Sequence, residues 1–140
     1  MSAVQQVYQV EADDFTRAGE ASADIKRRLK QLGVSSAVLR RVAVASYEVE
    51  LNLVIHSDGG ELTLMVDQDG VHLRSRDIGP GIPDVEQAMR EGFSTANEEA
   101  RSMGFGAGMG LPNMKRNADA FAIESQVGVG TTIDMTFKLA

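Results

Sequence analysis

Glycine is concentrated in one stretch of this 140-residue chain, and that stretch limits what the chain can fold into. Residues 78–110 hold seven of the 14 glycines and two of the three prolines, with one short helical piece predicted at 85–92. Glycine and proline weaken the interior of both helices and strands. So dense a glycine segment in a small domain is typical of a functional loop rather than of an ordinary connection.

Strand and helix patterns surround this segment. An apolar stripe with spacings of three and four predicts the buried face of a helix capped by Ser35 or Ser36; its members are Val38, Val42, Ala45, Val49 and Leu53. We predict helices at 16–32, 35–57 and 112–118, and strands at 3–11, 61–67, 71–77, 120–126 and 131–139, with a hairpin turn at Gln68-Asp69-Gly70. This order predicts a single α+β domain over residues 1–140. We expect a two-layer sandwich whose mixed, mostly antiparallel sheet carries helices on one face.

Composition excludes several classes of protein. The chain has no cysteine, so disulfides and thiolate metal sites are excluded. Its formal charge of -6 argues against a basic surface that follows nucleic-acid phosphates. No apolar run approaches the roughly 20 residues of a membrane span, and no secretory signal is visible at the N-terminus. We therefore expect a cytoplasmic protein that binds neither membranes nor nucleic acid directly.

Three polar residues recur at a spacing of four in the second predicted helix. Glu48, Asn52 and His56 lie on one stripe next to the apolar stripe. A polar stripe at the border of a core can face a cleft. The same pattern is also that of the solvated side of an ordinary amphipathic helix.

Two further motifs follow strands. The segment Asp77-Ile78-Gly79-Pro80-Gly81 begins where a strand ends. Its aspartate can accept a hydrogen bond from an exocyclic amine, and its glycines allow close approach to a flat ring. An ordinary Gly-Pro turn explains the segment equally well. Residues 128–132, Gly-Val-Gly-Thr-Thr, read alone as a hairpin turn.

The third motif has glycine at every second position. Gly104, Gly106, Gly108 and Gly110 lead into a helix that has Pro112 in its first turn. Consecutive N–H groups in such a loop, with the dipole of the following helix, can bind a phosphate. The loop is not a P-loop, because no G-K-[ST] follows, and it lacks the buried strand that precedes a Rossmann fingerprint.

Together and in this order, the motifs resemble the nucleotide-binding boxes of the GHKL (Bergerat-fold) superfamily, which includes gyrase, Hsp90, histidine kinases and MutL. The joint pattern is E-x-x-x-N-x-x-x-H, D-x-G-x-G, G-x-G-x-G-x-G-L and G-x-G-T, and it covers residues 38–137. The resemblance is closest to the bacterial anti-sigma-factor and stress-switch serine kinases. These proteins share the compact size, the histidine of the first box and the shape of the segment at 84–95.

The resemblance implies ATP and Mg²⁺ as ligands and a role for each matching residue. It implies that Asn52 binds Mg²⁺, that Glu48 is the catalytic general base and that Asp77 reads adenine. The other implied nucleotide contacts are Gly79 and Gly81 on the adenine side, Gly104 as a lid hinge, Gly106, Gly108, Met109, Gly110 and Leu111 in the phosphate cradle, and Thr131 near Asp77. The cation facing the phosphates stays open among Arg90, Arg101, Lys115 and Arg116.

The implied function is that of a serine/threonine protein kinase. Its substrate would be a small regulatory protein of the anti-anti-sigma type, with a sigma factor as a further partner, and a homodimer is common in the resembled family. A non-catalytic ATP/ADP-binding switch is the alternative, and a slow ATPase clamp ranks last. We also expect a mobile lid at 85–104, and we expect Glu50 to point away from Glu48 and to tolerate replacement by Gln.

Overall fold

The computed structural model of the protein describes residues 4–90 and 110–139. Strand β1 and a 3₁₀ turn precede two long helices, a hairpin, two shorter helices and a second hairpin. In chain order the elements are β1 (Val4–Val10), the 3₁₀ turn (Phe15–Arg17), α1 (Glu20–Gln31), α2 (Ser36–His56), β2 (Gly60–Asp67), β3 (Gly70–Asp77), α3 (Val85–Ala88), α4 (Gly110–Asn117), β4 (Ala120–Gln126) and β5 (Gly130–Phe137). No helix in these two ranges is long and apolar enough to cross a membrane.

The strands form one open sheet in the order β1-β2-β3-β5-β4. All four neighbouring pairs are antiparallel, so the sheet expected to be mixed is antiparallel throughout the described strands. Two tight hairpins make β2 antiparallel to β3 and β4 antiparallel to β5, since a short turn can join only antiparallel neighbours. The predicted α+β class is confirmed.

The core lies between the sheet and α2. The five residues of the predicted apolar stripe are at most 5% exposed. They pack in one cluster with the inward side chains of the sheet; among these are Leu62, Leu64, Leu73, Met135 and Phe137. The inner face of β5 alternates regularly with its outer face, which is typical of an antiparallel sheet covered on one side.

Helix α1 begins later than expected, at Glu20. Gly19 is the N-cap of this helix, with a left-handed φ of 100°, and it offers no side chain to cap the helix. The carboxylate of Glu50 on α2 supplies that cap instead: it accepts hydrogen bonds from the N–H groups of Ala21 at 3.1 Å and Ser22 at 2.9 Å. Glu50 is 2% exposed. Glu50 thus points away from Glu48, as expected. Its tolerance of replacement by Gln stays a prediction, and the first N–H groups of α1 depend on its two carboxylate oxygens.

Most other boundaries agree closely with the predictions, but the helix predicted at 85–92 ends at Ala88. Helix α2 begins with Ser35 as its N-cap, whose hydroxyl accepts a hydrogen bond from the Val38 N–H. Helix α4 begins at Gly110, two residues before Pro112, so the proline still lies in the first turn. Strand β5 ends at Phe137 rather than at 139.

Candidate functional site

At Gly110, helix α4 packs closely against the polar stripe of helix α2. A Cβ atom built on Gly110 would lie 3.3 Å from Oε2 of Glu48 and 3.4 Å from Oδ1 of Asn52. Both oxygens therefore face the first residue of α4. Glu48 and Asn52 are one helical turn apart, so the stripe spacing and the position of α4 together place a carboxylate, an amide oxygen and a helix N-terminus side by side.

The carboxyl group of Glu48 is half-buried beside Asn113. Burial raises its pKa, and the amide of Asn113, which donates to Oε1 at 3.4 Å, partly offsets that rise. The side-chain oxygen of Asn113 in turn accepts from Nη1 of Arg116 at 3.2 Å. Sequence reasoning missed Asn113; its position three residues after Gly110, on the same side of α4, was the available signal.

A second group of polar residues surrounds Asp77 at the end of β3. Oδ1 of Asp77 accepts a hydrogen bond from the Thr131 N–H at 2.8 Å. Burial raises the pKa of Asp77, the Thr131 hydrogen bond lowers it, and the negative charge of Asp58 raises it. A Cβ on Gly130 would come within 2.2 Å of the Asp77 carbonyl oxygen, so this contact between β3 and β5 requires glycine.

The glycines after Asp77 pack against protein backbone. A Cβ on Gly79 would lie 3.2 Å from Cα of Ser57, and one on Gly81 would lie 2.4 Å from the carbonyl oxygen of Gln126. Gly81 also has a φ of 74°. Close packing of the 78–82 loop thus accounts for both glycines, and their role beside an adenine ring stays a prediction.

Backbone hydrogen bonds join the end of α2 to the loop after β3. The Asp58 N–H donates to the carbonyl of Ile78 at 2.7 Å, and the Ile78 N–H donates to the carbonyl of Gly59 at 3.0 Å. Because Asn52 lies one turn before the end of α2, the group around Glu48 and the group around Asp77 belong to the same end of the α2 and β3 layers.

Several predicted residues fall elsewhere. The side chain of Leu111 is 8% exposed and belongs to the core, which leaves only its backbone for a ligand. Arg90 and Lys115 are exposed. Residues outside the described part are Gly104, Gly106, Gly108, Met109, Arg101, most of the expected lid, and the side chain of His56.

The oxygen donors at the α2–α4 contact fit a magnesium ion bound mainly through a nucleotide. Mg²⁺ takes one or two protein oxygens and completes its shell with phosphates and waters. Asn52 supplies a neutral oxygen, and Glu48 lies beside it. In residues 4–90 and 110–139, no group of three or more acidic, histidine or cysteine side chains could hold a metal alone.

Comparison with known proteins identifies the family. Residues 37–140 match the family described as histidine kinase-, DNA gyrase B-, and HSP90-like ATPase. The chain is 33% identical over 108 residues to the serine/threonine-protein kinase RsbT of Bacillus subtilis (strain 168), covering 74% of this chain and 75% of that protein. It is 32% identical over 109 residues to the anti-sigma F factor of Geobacillus stearothermophilus, covering 74% and 71% of the two chains. The predicted resemblance is confirmed, and the chain belongs to the histidine kinase-, DNA gyrase B- and HSP90-like ATPase family.

Proposed function

We propose that this protein is an ATP-dependent serine/threonine protein kinase that phosphorylates a small regulatory protein in the cytoplasm. The observation that carries the proposal is the convergence of Oε2 of Glu48 and Oδ1 of Asn52 on Gly110. A helix N-terminus attracts phosphate, an amide oxygen suits a magnesium ion, and a carboxylate accepts protons. These are the three functions that phosphoryl transfer requires of a protein.

Each residue has a distinct part in this reaction. Bound Mg²⁺, held by Asn52, would supply charge neutralisation for the nucleotide phosphates. The N-terminus of α4, with the glycine-rich segment before it, would orient the phosphates. The hydroxyl of the substrate attacks the γ-phosphorus, the bond from that phosphorus to the bridging oxygen breaks, ADP leaves, and Oε2 of Glu48 takes the hydroxyl proton.

Asp77 supports a nucleotide at the other end of the site. One carboxylate oxygen, Oδ1, is occupied by the Thr131 N–H. Among the described residues, no hydrogen bond reaches Oδ2, so this oxygen is available to accept from the exocyclic amine of adenine. The proposal therefore assigns base recognition to Asp77 and proton transfer to Glu48.

The names of the relatives support a protein substrate. One relative is named a serine/threonine-protein kinase, and others are named anti-sigma F factors. We extend this to the chain as a kinase whose substrate is an anti-anti-sigma-like regulator and whose further partner is a sigma factor. The anti-sigma names also favour a second function, a switch that binds nucleotide and a sigma factor without transferring phosphate.

Replacing Glu48 by Gln separates the two functions. We expect the variant to bind ATP like the wild type and to label its protein substrate about 10²–10⁴-fold more slowly, because the amide cannot accept the hydroxyl proton. The measurement is transfer from γ-³²P-ATP into protein in a lysate of the source organism, followed by phosphoamino-acid analysis. The label should be acid-stable phosphoserine or phosphothreonine.

The matched control is Glu124→Gln. Glu124 is an exposed glutamate on β4, paired with Thr132 on the outer face of the sheet. It should transfer phosphate at the wild-type rate. Wild-type transfer by Glu48→Gln would exclude the mechanism, and acid-labile phosphohistidine would exclude the serine/threonine assignment. Nucleotide binding without any transfer by the wild type would favour the switch.

A further inference from the structure

The hydroxyl groups of Ser125 and Thr131 meet on the inner face of the sheet beside Asp77. The register of β4 and β5 pairs the two residues directly, and their Oγ atoms are 2.8 Å apart. The backbone N–H of Thr131 is the group that donates to Asp77. Thr131 thus connects Ser125 to Asp77, the carboxylate proposed to recognise the base. None of the roles assigned above uses Ser125.

Ser125 also joins two loops. Its Oγ accepts a hydrogen bond from the N–H of Ile82 at 2.7 Å, and it lies 3.4 Å from the carbonyl oxygen of Gly130. Ile82 follows Gly81, the residue whose backbone lies against Gln126. A single hydroxyl therefore ties the loop after Asp77 to the start of β5.

Counting protons and lone pairs favours the arrangement in which all these groups have partners. The Ser125 hydroxyl has one proton and two lone pairs, and the Ile82 N–H occupies one lone pair. When the Thr131 hydroxyl donates to the second lone pair, the Ser125 proton points to the Gly130 carbonyl and every group has a partner. Thr131 Oγ1 then presents only lone pairs to its other neighbours.

We propose that Ser125 is a positioning residue for base selection, which holds the Thr131 hydroxyl as a hydrogen-bond acceptor beside Asp77. This inference rests on the proposed nucleotide site. Adenine carries an exocyclic amine where guanine carries a carbonyl oxygen. Two acceptors, Asp77 and Thr131, suit the amine and oppose the carbonyl. Without Ser125, the Thr131 hydroxyl can rotate and donate to guanine.

The test measures nucleotide selectivity in the full chain. Binding of the non-hydrolysable imido analogues of ATP and GTP, each with Mg²⁺, is compared by calorimetry for the wild type and Ser125→Ala. The ratio of ATP-analogue to GTP-analogue affinity should fall about 5- to 10-fold, the size of one hydrogen bond. Ser125→Thr keeps the hydroxyl and should restore the ratio. Thr132→Ala, on the outer face of β5, should leave it unchanged.

A second pair of variants distinguishes a loss of base selection from a general loss of folding. In a Thr131→Val background no hydroxyl remains to be oriented, so adding Ser125→Ala should not change the ratio further. An unchanged ratio in Ser125→Ala, or an equal loss of affinity for both analogues, would overturn the inference while leaving the proposed function standing. A wild type that binds neither analogue would overturn both.

Discussion

The carboxylates on the two sides of helix α2 differ in how many hydrogen bonds they accept. On the side of α1, both oxygens of Glu50 accept backbone N–H groups. Asp24 on α1 is similarly engaged: Oδ2 accepts from Tyr8 and Arg28, and Oδ1 accepts from Arg27. On the side of α4, Glu48 has one partner among the described residues, the amide of Asn113 at 3.4 Å.

The difference separates structural carboxylates from carboxylates that are available for chemistry. A carboxylate whose lone pairs are filled within the fold stabilises the folded state and has little capacity for a ligand. A half-buried carboxylate with one unpaired oxygen is only partly compensated for its loss of hydration. This is the reason that burial raises the pKa of Glu48. Fold stability should therefore depend on the α1 side, and nucleotide chemistry on the α4 side.

The largest effect on stability is expected at Glu50. In Glu50→Ala the N–H groups of Ala21 and Ser22 lose their acceptor in a buried site, which should cost about 2–4 kcal/mol of unfolding free energy. Urea unfolding followed by circular dichroism measures this cost. Glu48→Ala is the matched control, two residues away, and should change stability by less than about 1 kcal/mol. Equal costs for the two variants would contradict the comparison.

Asn52 tests the α4 side. Asn52→Ala should lower the affinity for the Mg²⁺-bound ATP analogue by about 10²-fold, since even residues behind a metal ligand contribute 10- to 100-fold. The same variant should lose little affinity for the analogue in excess EDTA, where the magnesium ion no longer contributes. The urea midpoint should stay near that of the wild type, because the Asn52 side chain is only partly buried on α2 and the substitution leaves the helix backbone intact. Wild-type affinity with Mg²⁺ would remove Asn52 from the metal site.

The sequence predicts features that depend on residue spacings within a single helix or hairpin. Helix and hairpin geometry alone predict the apolar stripe of α2, the hairpin turn around Asp69, and the one-turn separation of Glu48 and Asn52. The resemblance added the assignment of each motif to a nucleotide. The family itself is confirmed, and the nucleotide contact that the resemblance assigns to each motif stays a prediction.

Contacts between distant elements were not predictable in the same way. Asn113 reaches Glu48 across 65 positions, and Glu50 reaches Ser22 across 28. Glu48 and Glu50 look alike in the sequence, and only the packing of α1 and α4 on opposite sides of α2 gives them different roles. Ser125 was missed for the same reason, because its importance depends on the register of β4 and β5.

The smallest expected effect concerns Tyr8, which links β1 to the α1 side. Its hydroxyl donates to Oδ2 of Asp24 at 2.5 Å. Burial and this bond raise the pKa of Tyr8 to about 12, and the same bond, with that of Arg28, lowers the pKa of Asp24 below its usual range. Removing the hydroxyl in Tyr8→Phe should cost about 1 kcal/mol at neutral pH, since one hydrogen bond to a charged group is lost from a partly exposed site.

The two pKa shifts give this contribution a defined pH window. A lowered carboxyl pKa means that the contribution of Asp24 is present above about pH 4, the usual value of an aspartate, and is lost as the pH falls further. A raised phenol pKa means that the contribution of Tyr8 is present below about pH 10 and is lost as the pH rises towards 12. The difference in unfolding free energy between wild type and Tyr8→Phe should therefore be largest between these limits and should shrink beyond each. Urea unfolding at pH 3, 7 and 11 measures it, and a difference that stays constant across these conditions would show that the Tyr8–Asp24 bond does not stabilise the α1 side.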